Sequence, residues 1–301
     1  VISCIKIWNY KMNKDFLFFS YSWVTNANII FKQFEQNGYL CDFVDEISIN
    51  TFKPIHQYKN VVLYLHESHT IPITNYLIDT FYKYSNLIQH DDTDEEHVQI
   101  WSNKKPDLVI QREYTKDTKN TWNTLVYPMH FAVESIYEEK NKNYDVSFVG
   151  TLTNPRRIPF INKIQELSKK RNDLKWFIDV TPRDTRTPIK FKDIANESKI
   201  ALHYYGNSYD SLRIWELASC KTAILMPKMK SLSVSDKYMP FNSYQIFQDD
   251  CSDLEDKILY LLENDKYLEL AEKSQTDYNL NHNPQKCYEY YHNIIKKHNF
   301  I

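Results

Sequence analysis

Glycine is scarce in this chain: 301 residues hold three, Gly38, Gly150 and Gly206. No Gly-x-Gly-x-x-Gly, Walker A lysine loop or Gly-x-Ser-x-Gly elbow occurs, which argues against dinucleotide oxidoreductase, P-loop NTPase and α/β-hydrolase readings. The five cysteines are an odd number without Cys-x-x-Cys spacing, so neither a disulfide framework nor a zinc site is expected. Cys41 and Cys220 lie in or beside apolar runs and read as packing residues. A reducing compartment fits, and the expectation is a cytoplasmic protein of a bacterium or a phage-infected host. No apolar run approaches the ~20 residues of a membrane-spanning helix. The opening VISCIKIWNYKMNKD lacks a continuous apolar segment with a small-residue cleavage site and does not read as a signal peptide. It reads as a short leading strand or an extension before Met12. A net charge of −2 gives no global basic field to recruit nucleic acid or membrane. The hydrophobic fraction of 42% and charged fraction of 25% are those of an ordinary globular chain, long enough for one large or two medium domains.

What is present is a twice-repeated alternation of strand and helix. In the first half, strands are expected at Asp15 to Tyr21, Tyr39 to Val44, Asn60 to Leu65, Ser85 to Gln89, Asp107 to Ile110 and Thr124 to Tyr127. Helices are expected over Asn26 to Asn37, stopped by Gly38, and over Ile73 to Tyr84. Tyr127-Pro128 and the charged run Glu138 to Asn143 mark a break, and the domain boundary is placed between about Ala132 and Asn143. The pattern then restarts. Strands are expected at Asp145 to Val149, Leu174 to Val180, Ile200 to Tyr205, Thr222 to Met226 and Tyr244 to Gln248, with helices between and after them and a final amphipathic helix from Pro284 to Lys297. The fold class is α/β, with two Rossmann-like domains facing across a cleft. The first spans residues 1–138 and the second 139–282, and residues 283–301 are expected to pack back on the first.

Four constellations could carry chemistry. Gly150 and Thr151 follow a strand, and Arg156 and Arg157 open the next helix, where a fork-shaped guanidinium can meet a diphosphate. The bland alternative is a turn with two solvated arginines. Arg213 and Glu216 are three apart on a helix otherwise built from Leu212, Ile214, Trp215 and Leu217, so they share one face just beyond a strand end. There a carboxylate can hold ribose hydroxyls while arginine meets phosphate, with a surface ion pair between the two as the bland alternative. His203, in the strand before Gly206, reads as a core histidine with a donor-site role open. Gln89-His90-Asp91-Asp92 follows the fourth strand. His90 or Asp91 there is a candidate base for a hydroxyl, with acidic capping of a helix from Asp94 as the alternative. His66 and Glu67, after the third strand, and Asp92 are candidate acceptor contacts. His66-Glu67-Ser68-His69 lacks metal-ligand spacing, so no zinc site is expected there, while the Asp-x-Asp-like spacing after His90 could bind a divalent metal through oxygen.

The second half, DVSFVGTLTNPRR, then FKDIANESKIALHYY, then SLRIWELASCKTAILMP, resembles the C-terminal domain of GT-B glycosyltransferases of the CgeB-like kind. The resemblance runs from about Tyr144 to His282, and the first half matches in layout alone. It implies a nucleotide-sugar donor on the second domain, with UDP-sugars favoured, bound as a substrate with no cofactor and no metal. Gly150, Arg156 and Arg213 would lie near the diphosphate and Glu216 on the ribose. A hydroxyl acceptor (a glycan, a small molecule or modified DNA) would sit on the first domain. His90-Asp91 falls where phage DNA glucosyltransferases also carry a His-Asp at a strand end, so a DNA-modifying enzyme is one alternative. A GT-B-like binding module without catalysis is another, because the family's glycine after this helix is Lys221 here.

Overall fold

The structure, a computed structural model, describes residues 12–20, 25–45, 48, 57–65, 86–92, 105–120, 123–152, 154–180 and 188–301. His66, Glu67, the helix expected over 73–84 and the one from Asp94 lie outside the described residues.

The first half is a six-stranded parallel sheet of β1 (Met12–Phe19), β2 (Cys41–Val44), β3 (Gln57–Leu65), β4 (Asn86–Asp91), β5 (Leu108–Gln111) and β6 (Leu125–Pro128), in the order β2-β1-β3-β4-β5-β6. Phe16, Leu17, Phe18 and Phe19 are all buried, as expected of a parallel strand covered on both faces. On one face lie α1 (Thr25–Gln36) and the last helix of the chain, Pro284–Lys297. Phe16, Phe18, Tyr64 and Ile88 share one apolar cluster with Ile30 and Phe34 of α1 and with Tyr288, Tyr291 and Ile295 of that last helix. Gly38 stops α1 with φ +88°, a conformation an L side chain takes only under strain.

The second half is a five-stranded parallel sheet: β7 (Tyr144–Val149), β8 (Trp176–Asp179), β9 (Ser198–Leu202), β10 (Ala223–Met226) and β11 (Gln245–Ile246), in the order β11-β10-β9-β7-β8. Its helices are α2 (Arg157–Lys170), α3 (Pro188–Glu197), α4 (Leu212–Ser219), α5 (Leu254–Leu262) and α6 (Lys266–Asp277), which makes the last helix α7. On one face α2 and α5 pack Phe160, Ile164, Leu254 and Ile258 against Val146, Phe148, Ile200 and Leu225. On the other, α3 and α4 pack Phe191, Ile214, Trp215 and Leu217 against Ala201, Ile224 and Met226.

The charged run 138–143 has no regular secondary structure and is pinned to the second half. The Glu138 backbone N–H donates to Asn196 Oδ1 at 2.9 Å, and Lys142 Nζ donates to the carbonyls of Asn196 and Lys221 at 2.9 and 3.0 Å. Burial lowers the Lys142 pKa to about 8. No helix among the described residues is long and apolar enough to cross a membrane. The described cysteines, Cys41, Cys220, Cys251 and Cys287, are free, and burial pushes the thiols of Cys41 and Cys220 up to about 12, so they pack rather than react.

Candidate functional site

In an open parallel sheet the connections leave on opposite sides at the point where strand order reverses, and a crevice forms there beyond the carboxyl ends. In the second sheet that point lies between β7 and β9, which pair with Phe148 beside Leu202. Gly150 and His203 are the first residues past the ends of those two strands. A Cβ at Gly150 would fall 2.4 Å from the Phe148 ring, so glycine there makes room for that ring.

Arg157 ties the two strand-end loops together. Its Nε donates to the Tyr205 carbonyl at 2.8 Å, Nη2 to the Tyr204 carbonyl at 3.2 Å and Nη1 to the Thr151 carbonyl at 3.3 Å. Asn154 adds a 2.8 Å bond to the Gly206 carbonyl. Its neighbour Arg156 is exposed, with its guanidinium 5.7 Å from the centre of the Tyr209 ring. The two adjacent arginines therefore do different work: Arg157 braces the loops, and Arg156 is turned outward.

His203 is the first residue after β9 rather than a residue inside the strand, and it is buried. Burial, reinforced by the charges of Arg157 and Arg213, lowers its pKa to about 3, so the imidazole is neutral at ordinary pH. Its Nε2 is buried without a hydrogen-bond partner. On α4 the expected arrangement holds. Ile214, Trp215, Leu217 and Ala218 face inward, and Arg213 donates from Nη1 to Glu216 Oε2 at 2.8 Å on the open side. The Arg213 guanidinium stacks 3.6 Å from the centre of the Phe191 ring, which orients its donors. The two side chains keep 35% and 22% of their surface exposed.

Across the cleft, β4 runs two residues further than the sequence pattern indicates, so His90 and Asp91 belong to the strand. The pleat then turns His90 to the same face as Ile88, into the core. Its ring is wholly buried, stacked 4.1 Å from Tyr64 and 5.9 Å from Tyr291 of α7. Asp91 is equally buried. Asp92, just past the strand, accepts from Asn26 Nδ2 at 3.1 Å and lies 3.4 Å from His90 Nε2. Its pKa is lowered by His90, Arg112 and Asn26, which together outweigh its burial.

Sequence reasoning does not pick out Arg112, Glu113 or Asp210, yet they join the two halves. Arg112 is buried at the end of β5, donating to the carbonyls of Asp92 at 2.8 Å and Asp210 at 2.7 Å and to Glu113 Oε1 at 2.9 Å. A polar run, Gln111-Arg112-Glu113, directly after an apolar strand was the available signal. Among the described residues no group of three or more His, Cys, Asp or Glu side chains is placed to hold a metal ion.

Two parallel sheets of this order, joined into Rossmann-like domains that face across a cleft, make a GT-B fold. Solved structures share it. The chain is similar to TarM, at 13% identity and a TM-score of 0.57, over 82% of this chain and 56% of that one. It is similar to HepE of Anabaena in complex with UDP-glucose, at 10% identity and a TM-score of 0.55, over 94% of this chain and 100% of that one. It is similar to sucrose-phosphate synthase from Thermosynechococcus elongatus, at 8% identity and a TM-score of 0.58, over 94% of this chain and 98% of that one. This chain therefore spans little more than half of TarM but nearly all of the other two. At these identities the likeness is one of fold. By sequence, no protein family and no curated protein matches.

Proposed function

We propose that the chain is a glycosyltransferase of CgeB-like type that moves a sugar from a nucleoside-diphosphate sugar, a UDP-sugar in the first instance, to a hydroxyl group. The observation that carries this reading is the position of Arg213 and Glu216. They form a partly exposed pair on the open side of α4, beside the β7/β9 crossover, while Ile214, Trp215, Leu217, Ala218 and Ser219 of that helix are buried. The GT-B structure of HepE, determined in complex with UDP-glucose, covers nearly the whole chain and supports the choice of donor.

In this reading Glu216 accepts hydrogen bonds from ribose hydroxyls, and Arg213 and Arg156 face the diphosphate. Charge develops on the diphosphate as the glycosidic bond breaks, and arginines fixed beforehand stabilise it. Neutral His203 has a free ring nitrogen to offer a phosphate or sugar oxygen without adding charge. Arg157 acts indirectly, by holding the loops in place. The acceptor is assigned to the first-half side of the cleft, near the end of β4. His90 and Asp91 are too enclosed in this structure to touch a hydroxyl, so no base is assigned to them.

The test is UDP binding measured by calorimetry on the wild type and on Glu216→Ala, with UDP release from UDP-glucose followed in parallel. Binding by the wild type that is weakened about tenfold or more in a normally folded Glu216→Ala is expected. UDP binding that is unchanged by Glu216→Ala overturns the ribose assignment. No UDP binding and no UDP release by the wild type overturns the UDP-sugar function.

A further inference from the structure

A helix begins with backbone N–H groups that have no partner within the helix, and a side chain at the N-cap position usually takes one of them. Helix α4 does not use that device. Its N-cap residue, Ser211, makes no side-chain capping bond, and its Oγ is buried without a hydrogen-bond partner. The chain leading into α4 is held instead from the other half of the protein. Glu113, just past β5, accepts the Tyr209 N–H on Oε2 at 3.0 Å and the Asp210 N–H on Oε1 at 2.9 Å. Arg112 donates to the Asp210 carbonyl, so both faces of the Asp210 peptide units are engaged by consecutive residues of the first half. Within the second half, the Asp210 carboxylate accepts from Trp215 Nε1 at 2.8 Å, which fixes the loop to the body of α4.

We propose that Glu113 is a positioning residue for the donor site: its carboxylate sets the course of residues 209–210, and through Asp210 and Trp215 the placement of the helix that presents Arg213 and Glu216. This rests on the donor reading given above. Glu113 is wholly buried and lies in the domain opposite the donor helix, so it does not act by touching the ligand. Its contribution to the site passes through the 209–210 backbone that it holds and the Asp210–Trp215 contact. The arrangement also ties donor binding to the relation of the two halves. The acceptor oxygens reach the Tyr209 and Asp210 N–H groups only with β5 drawn up against that loop. Ser231 Oγ on the Arg112 carbonyl at 3.1 Å and the Leu232 N–H on the Tyr114 carbonyl at 2.7 Å hold β5 there.

The experiment uses the full chain as wild type, Glu113→Gln and Glu113→Ala, with UDP as the probe. UDP affinity is measured by calorimetry and amide hydrogen exchange by mass spectrometry. The peptide covering 207–217 is the reporter, and β10 is the internal control. Glu113→Gln keeps the shape and one acceptor oxygen, so it serves as the measurement if Glu113→Ala does not fold. Expected are faster exchange at 207–217, unchanged exchange in β10, and UDP affinity lower by about tenfold or more. Unchanged exchange and affinity in a folded variant overturn the proposal and leave the donor reading standing. Lower affinity without faster exchange also overturns it, because the effect then does not pass through the loop. Failure of the wild type to bind UDP overturns the donor reading and the proposal with it.

Discussion

Asp210 accepts a 2.8 Å hydrogen bond on Oδ1 from the Trp215 indole, and both side chains are wholly buried. The other oxygen, Oδ2, has no hydrogen-bond partner. Burial is the largest influence on this carboxyl. With the charges of Glu113 and Asp92 added, and Arg112 opposing, it raises the pKa to about 7. The folded state thus binds a proton that the unfolded state, with a pKa near ~3.9, releases. Stability falls as pH rises from about 4 to about 7 and levels off above that. Asp210→Asn is neutral at every pH, keeps the acceptor for Trp215 and removes this dependence. The stability of the variant relative to the wild type is expected to rise as pH goes from about 4 to about 8. Thermal melts across that range check it, and a gap independent of pH would sink the assignment.

Arg156 and Arg157 are adjacent in sequence and unlike in use. Arg157→Ala removes three backbone contacts between the strand-end loops and is expected to cost about 2 kcal/mol or more in urea unfolding. Arg156→Ala, at an exposed position, is expected to leave the unfolding midpoint in place and weaken UDP binding. The reverse pattern would exchange their roles.

Lys221 stands where the resembled family has glycine, and it takes φ +37° at the end of α4. Its ammonium pairs with Glu272 at 2.7 Å, but that pair is exposed and offsets little. A left-handed conformation costs an L-residue roughly 1 kcal/mol or more, and glycine is spared this. Lys221→Gly is therefore expected to raise the melting temperature without changing UDP affinity. A fall in melting temperature would show that the pair with Glu272 outweighs the backbone strain.

Most of the fold was legible because parallel strands buried on both faces are apolar throughout, as in Phe16 to Phe19, and because helix stops such as Gly38 are local. The Arg213–Glu216 pair was legible for the same reason, since helical periodicity alone puts both on one face. His90 was misplaced because strand ends are marked weakly. Gln89-His90-Asp91 looks like loop chemistry, but tertiary packing by Tyr64 and Tyr291 extends β4 through it. The Glu113 clamp was not legible at all. Its partners are main-chain N–H groups 96 and 97 residues away, and backbone groups leave no trace in a side-chain pattern.

Phe300 packs with the first-half cluster, and its carbonyl accepts from Asn60 Nδ2 at 3.1 Å. Phe300→Ala is expected to cost about 3 kcal/mol. Hydrogen exchange should quicken in β1 and β3 and stay unchanged in β7 and β9. An even effect on both sheets would show that the halves unfold as one unit.

The path of α7 also sets an order of events during synthesis. The second sheet, its helices and the residues that complete its core are encoded without interruption between residues 131 and 282, so that half has its parts as soon as that stretch leaves the ribosome. The first half is made earlier but waits longer. Phe16, Phe34 and Ile88 have no Tyr288, Tyr291 or Ile295 to pack against until the last helix emerges. The half translated first is therefore the half completed last, and its apolar face is the surface that a chaperone would have to shield in the interval.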